Sequence, residues 1–147
     1  MSSSRVPAVA VLALAGLLSA APSAAQEGRQ IRVHLIVVHA SQTPGPIDPD
    51  AKQLHEQLQR DFRYRSLRVM QHNRLRMPMR EERRVELPTG RALRVRPIAL
   101  DPQGILMSLE MQDRLDTRVM LRPRKPVVIG GERYQDGKLF IAIESDD

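Results

Sequence analysis

Past residue 25 the chain is a succession of short stretches in which apolar and polar positions alternate, separated by Pro, Gly, Asn and Asp. Residues 31–40, IRVHLIVVHA, are rich in β-branched side chains and predict a strand with a well-buried stretch. Residues 41–47, SQTPGPI, break any period and read as a loop. Asp48 then offers an N-cap, Pro49 fits the first helical position, and Asp50 suits the positive end of the helix dipole. Ala51, Leu54, Leu58 and Phe62 recur at three- and four-residue spacing, so a helix to about residue 62 is expected, with one apolar stripe that needs a sheet to lie on.

Residues 64–72 alternate as a second strand. Residues 73–84 are polar, basic and interrupted by Pro78, and read as a hairpin connection or mobile loop. Strands are expected over 84–87 and 91–100, around the turn Pro88-Thr89-Gly90, with Pro97 pushing the second toward a sheet edge or a bulge. Asp101-Pro102-Gln103-Gly104 has the residues of a tight β-turn. Residues 105–111 and 115–121 alternate on either side of a short connection, and 126–129 form a strand ending at Gly130-Gly131. Asp136-Gly137 signals a hairpin, and residues 138–143 are apolar at both parities, as in a central strand covered on both faces. The sum is a single α+β domain: an antiparallel β meander, sandwich or half-barrel, of about seven to eight strands with one helix packed on it.

The first 25 residues have a different pattern. Arg5 ends a short basic lead, residues 6–21 are apolar, and Ser23-Ala24-Ala25 places small residues where a signal peptidase cuts. That is a secretory leader, too short to span a bilayer. It makes residues 26–147 the functional domain and the periplasm or the exterior its place of work. No later stretch is apolar enough to span. The chain has no Cys, so the domain is expected to stand on its own packing, without disulfides or thiolate chemistry.

Charge adds a partner class. Lys and Arg number 23 against 17 Asp and Glu, and only Lys52, Lys125 and Lys138 are lysines. Arg makes bidentate contacts with carboxylate and phosphate, which points to an envelope protein with an acidic surface or to an anionic surface polymer. A solvated face laced with ion pairs is the structural alternative. Nucleic acid is excluded as a partner by compartment and by the scarcity of aromatics for stacking. Parity places Arg94 with Arg96 on one strand face and Arg118 with Arg122 on another, and sets Arg68 opposite Leu67 and Val69. Were these strands neighbours, one sheet face would carry an arginine stripe, partly neutralised by Glu110 and Asp116.

Candidate chemistry is sparse. His34 and His39 are five residues apart and point to opposite faces of a regular strand, so they do not share an ion. His39, His55 and Asp48 could converge, but the chain lacks diagnostic metal-ligand spacing, and neither a metal nor another cofactor is expected. Ser41 lies near His39, yet there is no G-x-S-x-G elbow, and Glu81-Glu82 sits among arginines that explain it as ion pairing. No catalytic residue is assigned. Gly130 and Gly131 allow close backbone approach to a ligand, but no phosphate-loop pattern surrounds them, and a bulge or bend explains them better.

Thr117, Val119 and then Pro126-Val127-Val128-Ile129-Gly130-Gly131 resemble the strand–turn–strand run of the secretins, the outer-membrane rings of secretion and pilus systems. Arg124-Lys125 stands where the family carries a glycine, and the remaining secretin domains are not in the chain. The resemblance implies an accessory role in an envelope secretion or pilus system. The leading expectation is a non-catalytic exported binding or assembly module. The secretion accessory is the second reading and a small periplasmic hydrolase the third.

Overall fold

The computed structural model describes residues 28–146; the leader read over residues 1–25 lies outside them. Eight strands form two four-stranded sheets. They are β1 (Gln30–Ser41), β2 (Ser66–Pro78), β3 (Arg83–Glu86), β4 (Ala92–Asp101), β5 (Gly104–Met111), β6 (Leu115–Leu121), β7 (Val127–Tyr134) and β8 (Gly137–Ser145). The first sheet has the order β2-β1-β8-β7 and the second β3-β4-β5-β6, with antiparallel pairing throughout. The second sheet is a plain meander. The first is closed by the two ends of the domain, β8 lying beside β1. This is the expected α+β meander in its sandwich form.

Alternation explains the layers. Ile31, Val33, Leu35 and Val37 of β1 meet Leu139, Ile141 and Ile143 of β8, and across the gap Leu93, Val95, Met107, Leu109 and Leu121 of the second sheet. All are buried, most of them completely. Each such side chain contributes about 1.5–3 kcal/mol of burial free energy. The opposite parity of the first sheet builds a second, smaller core. Val38, Ala40, Leu67, Phe140 and Ala142 close against Leu54 and Leu58 of the helix and Ala51 just before it. Opposite Val37 and Val38 the register shifts by one residue of β2, Met70, so that Leu67 and Val69 face the helix-side core while Leu75 and Met77 face the inter-sheet core. β8 is therefore covered on both faces, as its unbroken apolar sequence predicted.

The helix is shorter than its stripe suggested. A 3-10 turn over Pro49–Ala51 leads into α1 (Lys52–Leu58), and Asp48 caps the turn, its side chain accepting from the Asp50 amide at 3.0 Å. After Leu58 the chain turns, and Phe62 reaches Phe140 from outside the helix, ring centroids 4.8 Å apart. β2 differs more. It runs on to Pro78, through residues expected as loop. Arg74 and Arg76 mask a regular alternation in which Leu75 and Met77 face the inter-sheet core, and the long β1 supplies the pairing partner from Gln30 to Ser41.

Pro97 is absorbed by a bulge between Pro97 and Ala99, in a strand paired on both sides nearby; its carbonyl accepts from the Arg80 amide at 2.9 Å. β7 likewise continues through the glycine pair. Gly131 is the extra residue of a bulge between Gly130 and Glu132. Both glycines have positive φ, +117° and +103°, which a side chain would strain. A Cβ on Gly130 would also lie 2.9 Å from the Leu139 carbonyl oxygen.

Candidate functional site

Among the described residues no element lies over the outer face of the second sheet, because α1 and its core belong entirely to the first sheet. Three cross-strand rows cross this face. In the first, Arg84 pairs with Arg94, Arg94 with Glu110, and Glu110 with Asp116. Charges balance along it, and an Arg94 amino group donates to Glu110 Oε1 at 2.5 Å. In the second, Arg96 pairs with Ser108 and Ser108 with Arg118. The third holds Ala99, Leu106 and Met120.

The middle row is the distinctive one. Arg96 and Arg118 are both exposed. Among the described residues no carboxylate lies within 4.0 Å of either guanidinium. Strand spacing puts their Cα atoms roughly 10 Å apart with a serine hydroxyl between. The arrangement offers two forked donors and one hydroxyl to an anion, beside a strip of partly exposed apolar side chains. Arg122 lies just past the end of β6, donating to the Gln103 side chain at 3.3 Å.

Of the five arginines read as one stripe, Arg94, Arg96 and Arg118 thus belong to the second sheet, with Arg122 directly after its last strand, and Arg94 is neutralised. Arg68 does not join them: it is on β2 of the first sheet, paired with His39, because β2 neighbours β1 rather than β4 or β6. Gly130 and Gly131 lie away from this face. They line one side of a cleft of about 650 Å³ between the two sheets, with Arg114 and Arg133 at its rim.

Ser41, His39 and Asp136 do come together, but not as a hydrolytic triad. The Ser41 hydroxyl donates to Asp136 Oδ2 at 2.5 Å, and the Thr43 hydroxyl donates to the same oxygen. His39 Nε2 meets the Tyr134 carbonyl at 3.0 Å and stands 3.6 Å from Asp136 Oδ1. The serine therefore lacks a contact with the imidazole that would activate it. The two hydroxyl bonds, Ser41 first and then Thr43, hold the Asp136 carboxyl down at about 2. The cluster ties the β7–β8 turn to the end of β1. The fit there is close: a Cβ on Gly137 would fall 1.9 Å from the Ala40 carbonyl oxygen.

His39, His55 and Asp48 do not converge. His55 Nδ1 meets the Tyr64 hydroxyl at 2.6 Å, where burial raises the tyrosine's pKa, and Asp48 caps its turn. A different grouping, of His34, His72 and Glu144 on the first sheet, carries no sequence signal, because a strand read as ending at His72 hides the register of β2 against β1.

No family model, curated protein or solved structure matches the chain. The run that resembles secretins is divided by the fold. Thr117 and Val119 lie on β6 of the second sheet, Val127 to Gly131 on β7 of the first. The two strands are not paired with each other, so the run is a crossover between sheets rather than a hairpin.

Proposed function

We propose that this protein is an exported, non-catalytic binding module of the bacterial envelope that docks an acidic protein surface or an anionic surface polymer on the outer face of its second sheet. The observation that carries this reading is the row Arg96–Ser108–Arg118, two exposed guanidinium groups that, among the described residues, have no carboxylate partner and lie on a face no helix covers. Charge-assisted bonds from guanidinium to an oxyanion are each worth about 1.5–3 kcal/mol. The apolar strip of Leu106 and Met120 alongside gives a partner something to bury. Export rests on the leader sequence. No helix among the described residues is long and apolar enough to cross a membrane. An accessory part in an envelope secretion system is one setting in which such a module would act.

The test is titration of the purified protein with two defined polyanions, poly-L-glutamate and dextran sulfate. The double variant Arg96→Gln/Arg118→Gln weakens binding at least about tenfold, the equivalent of one such bond, with an unchanged circular dichroism spectrum. Undiminished binding by the variant contradicts the assignment.

A further inference from the structure

The helix covers only part of the first sheet's outer face, and beside the covered part β2, β1 and β8 bring His72, His34 and Glu144 together. Glu144 stands directly across from His34 in the β1–β8 register, and His72 lies diagonally on the other side, being the register partner of Ile36. The two imidazoles meet edge to face, centroids 4.3 Å apart and planes at 64°. Each turns Nε2 toward the other's Nε2, within hydrogen-bond contact. His34 Nδ1 lies 3.7 Å from Glu144 Oε1. The other carboxylate oxygen, Oε2, is buried without a hydrogen-bond partner. A recess of about 90 Å³ adjoins the group, with Asp50 and Gln53 in its wall.

Two Nε2 atoms in contact share a single proton, one donating and one accepting. With that proton carried instead by Nδ1 of its own ring, both imidazoles stay neutral and two Nε2 lone pairs point at one place. Imidazole nitrogens bind a late first-row ion at about 2.0–2.1 Å, so two of them on one tetrahedral ion stand roughly 3.3 Å apart. The exposed His72 side chain reaches that separation by a small rotation. Glu144 stands 3.7 Å behind Nδ1 of His34, where a small side-chain rotation would let it accept the Nδ1 proton, the contact that fixes a ligating histidine's tautomer and raises its basicity. The buried, unpartnered Oε2 answers to the same chemistry: a water on the ion, seated in the recess, would donate to it. The recess is roomy enough to seat such a water.

We propose that His34 and His72 form a two-nitrogen site for a divalent late transition-metal ion, with Glu144 as the positioning residue for His34. Among the described residues no group of three or more His, Cys, Asp or Glu is arranged to hold an ion, so water completes the coordination and the ion exchanges readily. Arg74, the register partner of His34, places a positive charge in the same row and limits the affinity. The Irving–Williams order puts copper(II) above nickel(II) and zinc(II) at such a site. Bound metal joins β1 to the sheet-edge strand β2, and because it binds the folded chain it raises the unfolding temperature.

The experiment is calorimetric titration of the tag-free protein with Cu²⁺ and Zn²⁺, with the Cu²⁺ complex also examined by electron paramagnetic resonance. One ion per chain is expected, with a two-nitrogen signature and a metal-dependent rise in unfolding temperature. His72→Gln, at an exposed position that leaves the fold intact, abolishes all three, and Glu144→Gln weakens binding at least about tenfold. His55→Gln changes none of them. Absence of binding at micromolar metal, or binding that survives His72→Gln, overturns the proposal.

Discussion

The outer faces of the two sheets are built by the same alternation and end in opposite states. On the first sheet the outward positions include Val38, Ala40, Phe140 and Ala142, and a helix closes over them. On the second they include Arg94, Arg96, Ser108, Glu110 and Arg118, and no described element closes over them. Alternation decides which side of a strand is inward. The identity of the outward residues decides whether that side becomes a core or a surface. The first sheet's outer face adds to stability, and the second's stays exposed, which is why the proposed docking is placed there.

Substitutions on the two faces should therefore differ in kind. The largest loss is expected at Phe140, almost fully buried and in ring contact with Phe62. Phe140→Ala removes the centre of the helix-side core and should cost about 3–5 kcal/mol in denaturant unfolding. A cost below about 1 kcal/mol would mean that the helix adds little to the fold. Gly137→Ala should follow at about 3 kcal/mol or more, because its Cβ would be driven into the Ala40 carbonyl where β8 meets β1. Calorimetry distinguishes that backbone collision from a tolerant turn, in which the variant melts like the parent.

Smaller, and dependent on pH, is the clamp at Asp136. Its carboxyl titrates at about 2 in the folded protein, below the usual value near 4. A carboxyl depressed on folding stabilises the protein above the unfolded-state value, and that contribution is lost as pH falls toward the folded-state value. Asp136→Asn should lower the melting temperature above about pH 4, and the gap to the parent should narrow steadily toward pH 2. A gap independent of pH would show that the hydroxyl bonds to Asp136 owe nothing to its charge. The smallest stability effect belongs to the open face, where Ser108→Ala should stay within about 0.5 kcal/mol of the parent.

The same contrast explains what could be read from the sequence. β5, β6 and β8 were legible because their alternation, or its absence, is uninterrupted by charge at inward positions. The β7–β8 hairpin and the Asp48 cap were legible from Asp136-Gly137 and Asp48, although the turn is centred on Gln135-Asp136 and Gly137 already opens β8. The extension of β2 to Pro78 was not, since Arg74 and Arg76 gave a stretch with two inward apolar residues the composition of a loop. The closure of the first sheet by β1 and β8 was not legible either, because no local preference encodes a pairing between the two ends of a domain. That pairing, with the register of β2, decides which polar groups meet. It separates Arg68 from the other arginines and brings His34, His72 and Glu144 together. The row Arg96–Ser108–Arg118 could be anticipated as far as parity allowed, since β4, β5 and β6 are consecutive hairpin strands. Its freedom from carboxylates depended on Glu110 falling opposite Arg94 rather than Arg96.

The central claim is that position on the open face, and not net charge, makes the binding surface. Two arginines can be removed from either sheet: Arg96 and Arg118 from the second, or Arg74 and Arg76, both exposed on β2, from the first. The two double glutamine variants have equal net charge. Titrated with the same polyanion at the same ionic strength, the Arg96/Arg118 variant should bind at least about tenfold more weakly than the Arg74/Arg76 variant. Equal affinities for the two would contradict the account.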